Sequence, residues 1–172
     1  MTDRLVVDTD VVSFVFKGDT RAKVYEPHPK GRQLVVSFMT VAELYRWTEE
    51  RNWGLKQIAA LEAHLRNFVV HPVDPYLWQI WGRIMTEGKK NGKVIACADG
   101  WIAATALANG IPLVSYNGKH YSGIAGLSIV CETSTTFFLT DGSLSDKLST
   151  CNSSLLQATT SLSIFPLSLA RF

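Results

Sequence analysis

Short apolar runs separated by helical patterns constrain the fold of this chain more than any other feature. Leu5–Val7 and Leu34–Val36 are continuous aliphatic runs, of the kind found in parallel strands that are buried on both faces. Ile111–Ser115 and Leu127–Cys131 are predicted as two later strands, and Phe68–Val73 as an extended segment. Strands that alternate with helices predict a three-layer α/β/α fold around a central, mainly parallel sheet.

The helices are predicted from apolar residues that recur at three- and four-residue spacing. Their expected ranges are Val11–Phe16, Thr40 to about Arg51, a stretch that starts at Gly54, Tyr76–Lys89 and Asp99–Ala108. Gly18 and Gly110 are expected to end the first and the last of these helices. Residues 19–33 are polar and contain prolines, so they are predicted to form an irregular connection.

Length and composition indicate one globular domain followed by a tail. The chain has 172 residues, of which 47% are hydrophobic and 19% charged, which excludes a disordered protein. We predict a domain over residues 1–131. Residues 132–172 are rich in Ser, Thr and Leu and show no sustained periodicity, so they are predicted to form a poorly ordered tail.

Charge and cysteine content limit the environment and the partners. The net charge of +2 permits a nucleic-acid partner without requiring one. Cys97, Cys131 and Cys151 lack metal-binding spacing and are interpreted as reduced thiols. No signal peptide is recognisable, and no apolar run approaches the roughly 20 residues that span a bilayer. A cytoplasmic protein without a membrane segment is therefore expected.

Polar side chains stand where the predicted strands end or the following helices begin. They are Asp8, Glu43, Asp99 and Asn117. The carboxyl ends of parallel strands form the edge at which α/β proteins bind ligands. Carboxylates gathered there repel one another unless a cation lies between them, and hard oxygen ligands suit Mg²⁺ or Mn²⁺.

Each of these positions also has a purely structural interpretation. Asp8 can form an Asx-turn, and Glu43 can complete a capping box that Thr40 begins. Asp99 can be the N-cap of its helix, and Asn117 belongs to an Asn-Gly turn. Taken singly, no position is decisive; their common place at strand and helix ends favours a site.

Five motifs follow one another along these segments: LVVDTDVV at Leu5–Val12, TVAEL at Thr40–Leu44, DGWIAATA at Asp99–Ala106, NGIPLVS at Asn109–Ser115 and SYNGKHY at Ser115–Tyr121. Together they resemble PIN-domain ribonucleases and, among them, the VapC-type toxins of toxin–antitoxin pairs. Their order matches the family over about residues 4–131. The resemblance makes residues 1–131 a PIN-like nuclease domain.

The resemblance implies a Mg²⁺- or Mn²⁺-dependent endoribonuclease that hydrolyses RNA phosphodiester bonds. Asp8 and Asp99 would bind the metal, and Glu43 would orient or deprotonate the attacking water. Asn117 falls where the family has a fourth acid, so this chain brings no charge there; Asn117 and Ser115 would complete the outer shell. Asp10 is a further available carboxylate.

The resemblance also implies an RNA substrate, a small cognate antitoxin and a homodimer. Candidate cationic contacts to RNA are Arg46, Lys89, Lys90, Lys93 and Lys119, and candidate stacking residues are Trp47 and Tyr116. The apolar stripe of Trp47, Leu61 and Leu65 faces either the antitoxin or the protein's own core.

Two other functions remain open from the sequence. Asp8 and Asp10 also fit the Asp-x-Asp motif of haloacid-dehalogenase-like phosphatases, in which Asp8 would attack phosphate. Alternatively, a catalytically degenerate PIN module binds RNA or protein without cutting, as the missing fourth carboxylate suggests.

Overall fold

The computed structural model describes residues 4–25, 28 and 31–131. In this part of the chain, the strands are β1 (Arg4–Val7), β2 (Gln33–Val36), β3 (Val69–Val70), β4 (Leu113–Val114) and β5 (Ile129–Val130). The helices are α1 (Thr9–Lys17), α2 (Ala22–Tyr25), α3 (Phe38–Glu50), α4 (Leu55–Leu65), α5 (Pro75–Lys90) and α6 (Cys97–Asn109), followed by a 3₁₀ helix at Gly118–Tyr121. The predicted tail, residues 132–172, lies outside the described residues.

The strands form one parallel sheet in the order β3-β2-β1-β4-β5. β1 is central, and Val6 pairs with Val35 of β2 on one side and with Leu113 of β4 on the other. The chain builds the sheet outward in one direction through β2 and β3 and then returns to the other side of β1 with β4. This reversal opens a crevice at the carboxyl ends of β1 and β4, where ligands bind in such sheets.

Two hydrophobic cores cover the two faces of the sheet. On one face, Val6 and Leu113 pack with Leu77 and Ile84 of α5 and Ile102 of α6. On the other face, residues of the sheet pack with α1, α3 and α4; this core includes Leu5, Val7, Val12, Val36, Leu44 and Leu61. Burial of each aliphatic side chain contributes roughly 1.5–3 kcal/mol. The predicted three-layer α/β/α fold is confirmed.

Two helices begin earlier than the sequence predicted. Ser37 is the N-cap of α3, and its hydroxyl accepts a 3.2 Å hydrogen bond from the Met39 amide. α6 begins at Cys97 with Ala96 as N-cap, so Asp99 lies inside the first turn. The capping interpretations of Glu43 and Asp99 are therefore wrong. A serine directly after β2 lets the helix start at once, which leaves Glu43 one turn inside α3 and available for other contacts.

Two helices end at the glycines that the sequence predicted. Gly18 and Gly110 terminate α1 and α6 with φ of 63° and 61°, left-handed values that glycine adopts without steric cost. The connection at residues 19–33 differs from the prediction because it contains the short helix α2.

The apolar stripe on α3 and α4 belongs to the core. Leu61 is fully buried, and Trp47 and Leu65 pack partly buried against the same cluster. Of the two interpretations of this stripe, the structure supports packing within the protein. No helix in the described ranges is long and apolar enough to cross a membrane.

Candidate active site

Asp8 lies in the crevice between β1 and β4. Its backbone amide donates to the Val114 carbonyl at 2.9 Å, which fixes the residue at the end of β1. One carboxylate oxygen accepts a 2.7 Å bond from the Thr9 amide, and the other accepts a 2.7 Å bond from the Ser115 hydroxyl. Asp8 therefore caps α1 and joins β1 to the residue that follows β4.

The Asp8 carboxyl is 6% exposed, and this burial raises its pKa to about 6. The negative charge of Asp10 raises the pKa further, while hydrogen bonds with Ser115, Tyr121 and Thr9 act against the shift. A low-dielectric environment disfavours the ionised carboxyl unless a positive charge compensates it. The electrostatics at Asp8 thus favour a bound cation.

Glu43 is joined to the Asp8 region through Thr9. The Thr9 hydroxyl donates to Oε2 of Glu43 at 2.7 Å and shares a 3.1 Å hydrogen bond with the Thr40 hydroxyl. Because a carboxylate only accepts and a hydroxyl has one proton, Thr40 serves as the donor to Thr9. This chain of hydroxyls orients Glu43 from the start of α1.

Asp99 approaches the crevice from the first turn of α6. Its Oδ2 lies 3.3 Å from Nδ1 of His120, which stands on the 3₁₀ helix. Burial raises the pKa of Asp99, His120 lowers it and Asp10 raises it again. Asp10 lies in the first turn of α1, and its charge acts on both Asp8 and Asp99.

Tyr121 places a buried phenol among these acids. The side chain is 1% exposed, and its hydroxyl makes no hydrogen bond of good geometry, although it lies near enough to Asp8 to lower the pKa of that carboxyl. Burial raises the pKa of Tyr121 above its usual range, and the charges of Asp8, Asp99 and Asp10 raise it further. Tyr121 stays neutral and is a hydrogen-bond donor facing the acids.

Asn117 takes part through its backbone. Its amide donates to the Ser115 hydroxyl at 3.0 Å, and this bond holds the turn that follows β4. Among the described residues, no hydrogen bond joins the Asn117 side chain to an acid. Its assignment to an outer shell remains a prediction; the side chains of Ser115 and His120 contact acids directly in this part of the chain.

The donors suit a hard divalent cation held mainly through water. Within the described part of the chain, no three Asp, Glu, His or Cys side chains are already gathered as metal ligands. Mg²⁺ commonly binds through one or two carboxylates and keeps several waters. Asp8 and Asp99, with Asp10 beside them, provide that number of carboxylates.

Several predicted cationic contacts are engaged elsewhere. Arg46 forms a 3.2 Å ion pair with Glu50 on the same helix. The Lys93 ammonium donates to the Ser122 carbonyl at 2.7 Å. Lys89 and Lys90 lie in the last turn of α5. These contacts give no support to RNA binding at Arg46 or Lys93.

Sequence reasoning missed Thr9 and Tyr121. Each is close in the chain to a residue that the sequence predicted for the site. A threonine after a strand and a tyrosine in an apolar position, however, do not by themselves indicate a functional role. Their roles depend on contacts between segments that are distant in the chain, such as the bond between Thr9 and Glu43.

An apolar cavity in the described part of the chain lies apart from these acids. Its volume is about 440 Å³, and aliphatic residues of β1 and α1 line it with Tyr25, His64 and Phe68. It contains no carboxylate, so the crevice at Asp8 is the stronger candidate for chemistry.

Two bacterial ribonucleases are similar in sequence to most of this chain. Ribonuclease VapC2 of Haemophilus influenzae is 30% identical over 124 residues, which cover 72% of this chain and 94% of that protein. VapC ribonuclease Y4jK of Sinorhizobium fredii is 30% identical over 135 residues, which cover 73% and 95% of the two chains.

Solved structures share the fold. VapBC-1 from nontypeable Haemophilus influenzae matches with a TM-score of 0.67 at 25% identity, over 74% of this chain and 97% of that chain. VapBC2 from Rickettsia felis, bound to a DNA fragment from their promoter, matches with a TM-score of 0.67 at 20% identity, over 76% and 99%. The PIN domain model matches residues 5–127, and the chain therefore belongs to the PIN domain family.

Proposed function

We propose that this protein is a divalent-metal-dependent endoribonuclease that hydrolyses RNA phosphodiester bonds, and that it is the toxin of a toxin–antitoxin pair. The observation that carries the proposal is the buried Asp8 carboxyl, held by Ser115 at the crevice between β1 and β4 with Asp99 and Asp10 nearby. Ribonuclease names of relatives at 30% identity support the substrate class.

Asp8 and Asp99 would hold the metal, which is Mg²⁺ or Mn²⁺ by the hardness of the oxygen donors. When bound, the ion supplies the positive charge that polarises a phosphoryl oxygen and lowers the pKa of a water. Ser115 keeps one oxygen of Asp8 in a fixed direction. His120 does the same for Asp99 through the 3.3 Å contact, as outer-shell partners of metal ligands do.

Glu43 would orient the attacking water and accept its proton. The Thr9 hydroxyl holds one oxygen, Oε2, and so sets the direction of the carboxylate. General bases act at hydrogen-bond distance from the proton they remove, so this positioning matters directly. The neutral phenol of Tyr121 adds no negative charge to a site that must accept an anionic phosphodiester.

The partners follow from the same proposal. A small antitoxin would hold the toxin inactive, and the toxin would act as a homodimer in the cytoplasm. The fold shared with VapBC-1 at 25% identity supports the comparison with that class. The phosphatase alternative loses its support, because the chain belongs to the PIN domain family.

Cleavage of single-stranded RNA by the full chain tests the activity. We expect cleavage with Mg²⁺ or Mn²⁺, none in EDTA, and a loss of at least about a thousandfold in the Asp99→Asn variant. Glu87→Gln, an exposed carboxylate on α5, is the matched control and should cleave like the wild type. Equal cleavage by Asp99→Asn and the control would remove Asp99 from the site.

A degenerate module is the second candidate. Asn117 brings no carboxylate, and its side chain bonds to no acid among the described residues. In that case RNA binds to the wild type but remains intact at every metal concentration. Inducible expression in a bacterial host is an independent test. Growth arrest by the wild type, but not by the Asp99→Asn variant, would support the proposed toxin function.

A further inference from the structure

Two helices lead away from the acidic site and carry cations at their far ends. α1 begins beside Asp8 with Asp10 in its first turn and ends with Lys17 in its last turn. α3 packs against α1, carries Glu43 near its start and has Arg51 as its C-cap. Acidic and basic groups are therefore separated along the same pair of helices.

The spacing on α3 keeps these groups on one face. Glu43, Trp47 and Arg51 are separated by four residues each, so neighbouring side chains follow one another along the helix. Eight residues at 1.5 Å rise place Arg51 about 12 Å from Glu43 along the axis. Asp10 and Lys17 are seven residues apart on α1, which also returns to the same face.

The two cations meet on one aromatic ring. The Lys17 ammonium lies 4.9 Å from the centre of the Trp47 ring, and the Arg51 guanidinium carbon lies 5.4 Å from it. Among the described residues, neither cation forms an ion pair with an acid. Two like charges held near one ring repel each other, and a polyanion is the partner that relieves this repulsion.

Arg21 lies next to this cationic face but is paired with an acid. Its guanidinium stacks 3.9 Å from the centre of the Phe14 ring and lies 5.6 Å from that of Tyr116. Asp19 accepts hydrogen bonds from Nε and Nη2 of Arg21 at 3.0 and 2.6 Å and from its backbone amide at 2.9 Å, so this ion pair compensates the charge of Arg21. Partial burial lowers the pKa of Lys17, and the charges of Arg51 and Arg21 lower it further, while those of Asp19 and Asp10 act against the shift.

We propose that Lys17, Trp47 and Arg51 form a basic surface that binds the sugar–phosphate backbone of single-stranded RNA on one side of the scissile phosphate. The inference rests on the proposed ribonuclease function and adds a substrate-binding site to it. RNA is favoured over an acidic protein because α1 and α3 connect this surface directly to the acids. An exposed guanidinium, that of Arg51, beside the partly buried ring of Trp47 also suits unpaired nucleotides.

Binding of a labelled single-stranded RNA to the full chain in EDTA tests the basic surface without cleavage. The Lys17→Gln/Arg51→Gln double variant should bind at least about tenfold more weakly than the wild type. The slope of log affinity against log salt concentration should be shallower by about 1.4 than in the wild type, since two phosphate contacts are lost. Lys56→Gln/Arg83→Gln removes two exposed cations from α4 and α5 and is the control for net charge.

The outcomes separate this inference from the proposed function. Equal affinity and salt slope in the two double variants would overturn the basic surface, even if RNA is cleaved. If the wild type leaves RNA intact but the Lys17→Gln/Arg51→Gln variant shows the predicted loss of binding, the proposed nuclease activity is overturned and the basic surface is retained. A wild type that binds poly-glutamate but not RNA, with the poly-glutamate bound weakly by Lys17→Gln/Arg51→Gln, would assign the surface to an acidic protein and overturn the RNA assignment.

Discussion

At the scale of single residues, the free-energy cost of ionising buried Asp8 dominates the electrostatics of the site. The pKa of Asp8 is raised by burial to about 6 in the folded protein from 3.8. The folded state therefore binds the proton more tightly than the unfolded state does. The contribution of the Asp8 carboxyl to the free energy of unfolding is fully present below about pH 4 and is lost as the pH rises through about 6. The loss amounts to about 3 kcal/mol.

Asp8→Asn should therefore stabilise the metal-free protein at neutral pH. The amide keeps an oxygen for the Thr9 amide and carries no charge. We expect the free energy of unfolding at pH 7.5 to rise by about 1–3 kcal/mol, and the decline between pH 4 and 6 to become shallower. Urea unfolding in EDTA at several pH values measures both. A variant that is less stable than the wild type at pH 7.5 would contradict the electrostatic account.

Thr9→Val tests the positioning of Glu43. Valine has nearly the same shape as threonine but removes the 2.7 Å bond to Oε2. We expect kcat for RNA cleavage to fall at least about tenfold with little change in KM, because small misplacements of a reacting group are costly.

Thr105→Val is the control for Thr9→Val. Thr105 is also buried, and its hydroxyl bonds to a helix carbonyl, that of Trp101, away from Glu43. Equal losses of kcat in the two variants would show that Thr9 acts only through packing.

The positions of the acids were visible in the sequence, but their chemistry was not. Asp8 closes an apolar run, and a strand end at a sheet edge follows from local pattern alone. The bond between Thr9 and Glu43 joins residues 34 positions apart, and that between Ser115 and Asp8 joins residues 107 positions apart. No periodicity encodes such contacts, since they depend on which strands become neighbours.

At the scale of elements, the start of α3 decides the role of Glu43. Thr40 and Glu43 have capping-box spacing, and Ser37 stands directly after β2. Both patterns begin a helix in isolation. The helix starts at the Ser37 cap and not at Thr40, because Thr40 is fully buried and its hydroxyl is hydrogen-bonded to the Thr9 hydroxyl.

Ser37→Ala should lower the free energy of unfolding by about 1 kcal/mol, since it removes the N-cap hydrogen bond to the Met39 amide. Chemical unfolding followed by circular dichroism measures the change. Thr86→Ala, at an exposed position of α5, is the control and should be nearly neutral. Unchanged stability in Ser37→Ala would show that the α3 cap contributes nothing.

At the scale of the whole molecule, the order β3-β2-β1-β4-β5 creates the site. The sequence predicts strands, helices and a parallel sheet, but it does not state that β4 returns to the side of β1. That return brings the segment after β4, with Ser115 and His120, beside the acids of α1 and α6. The same topology makes α1 and α3 neighbours and so forms the basic surface.

The most direct test of the metal site is the anomalous diffraction of a crystal soaked in Mn²⁺. The account predicts one strong manganese peak at coordination distance, about 2–2.3 Å, from carboxylate oxygens of both Asp8 and Asp99, with Glu43 within reach of a bound water. A peak at other side chains, with none between Asp8 and Asp99, would contradict the account.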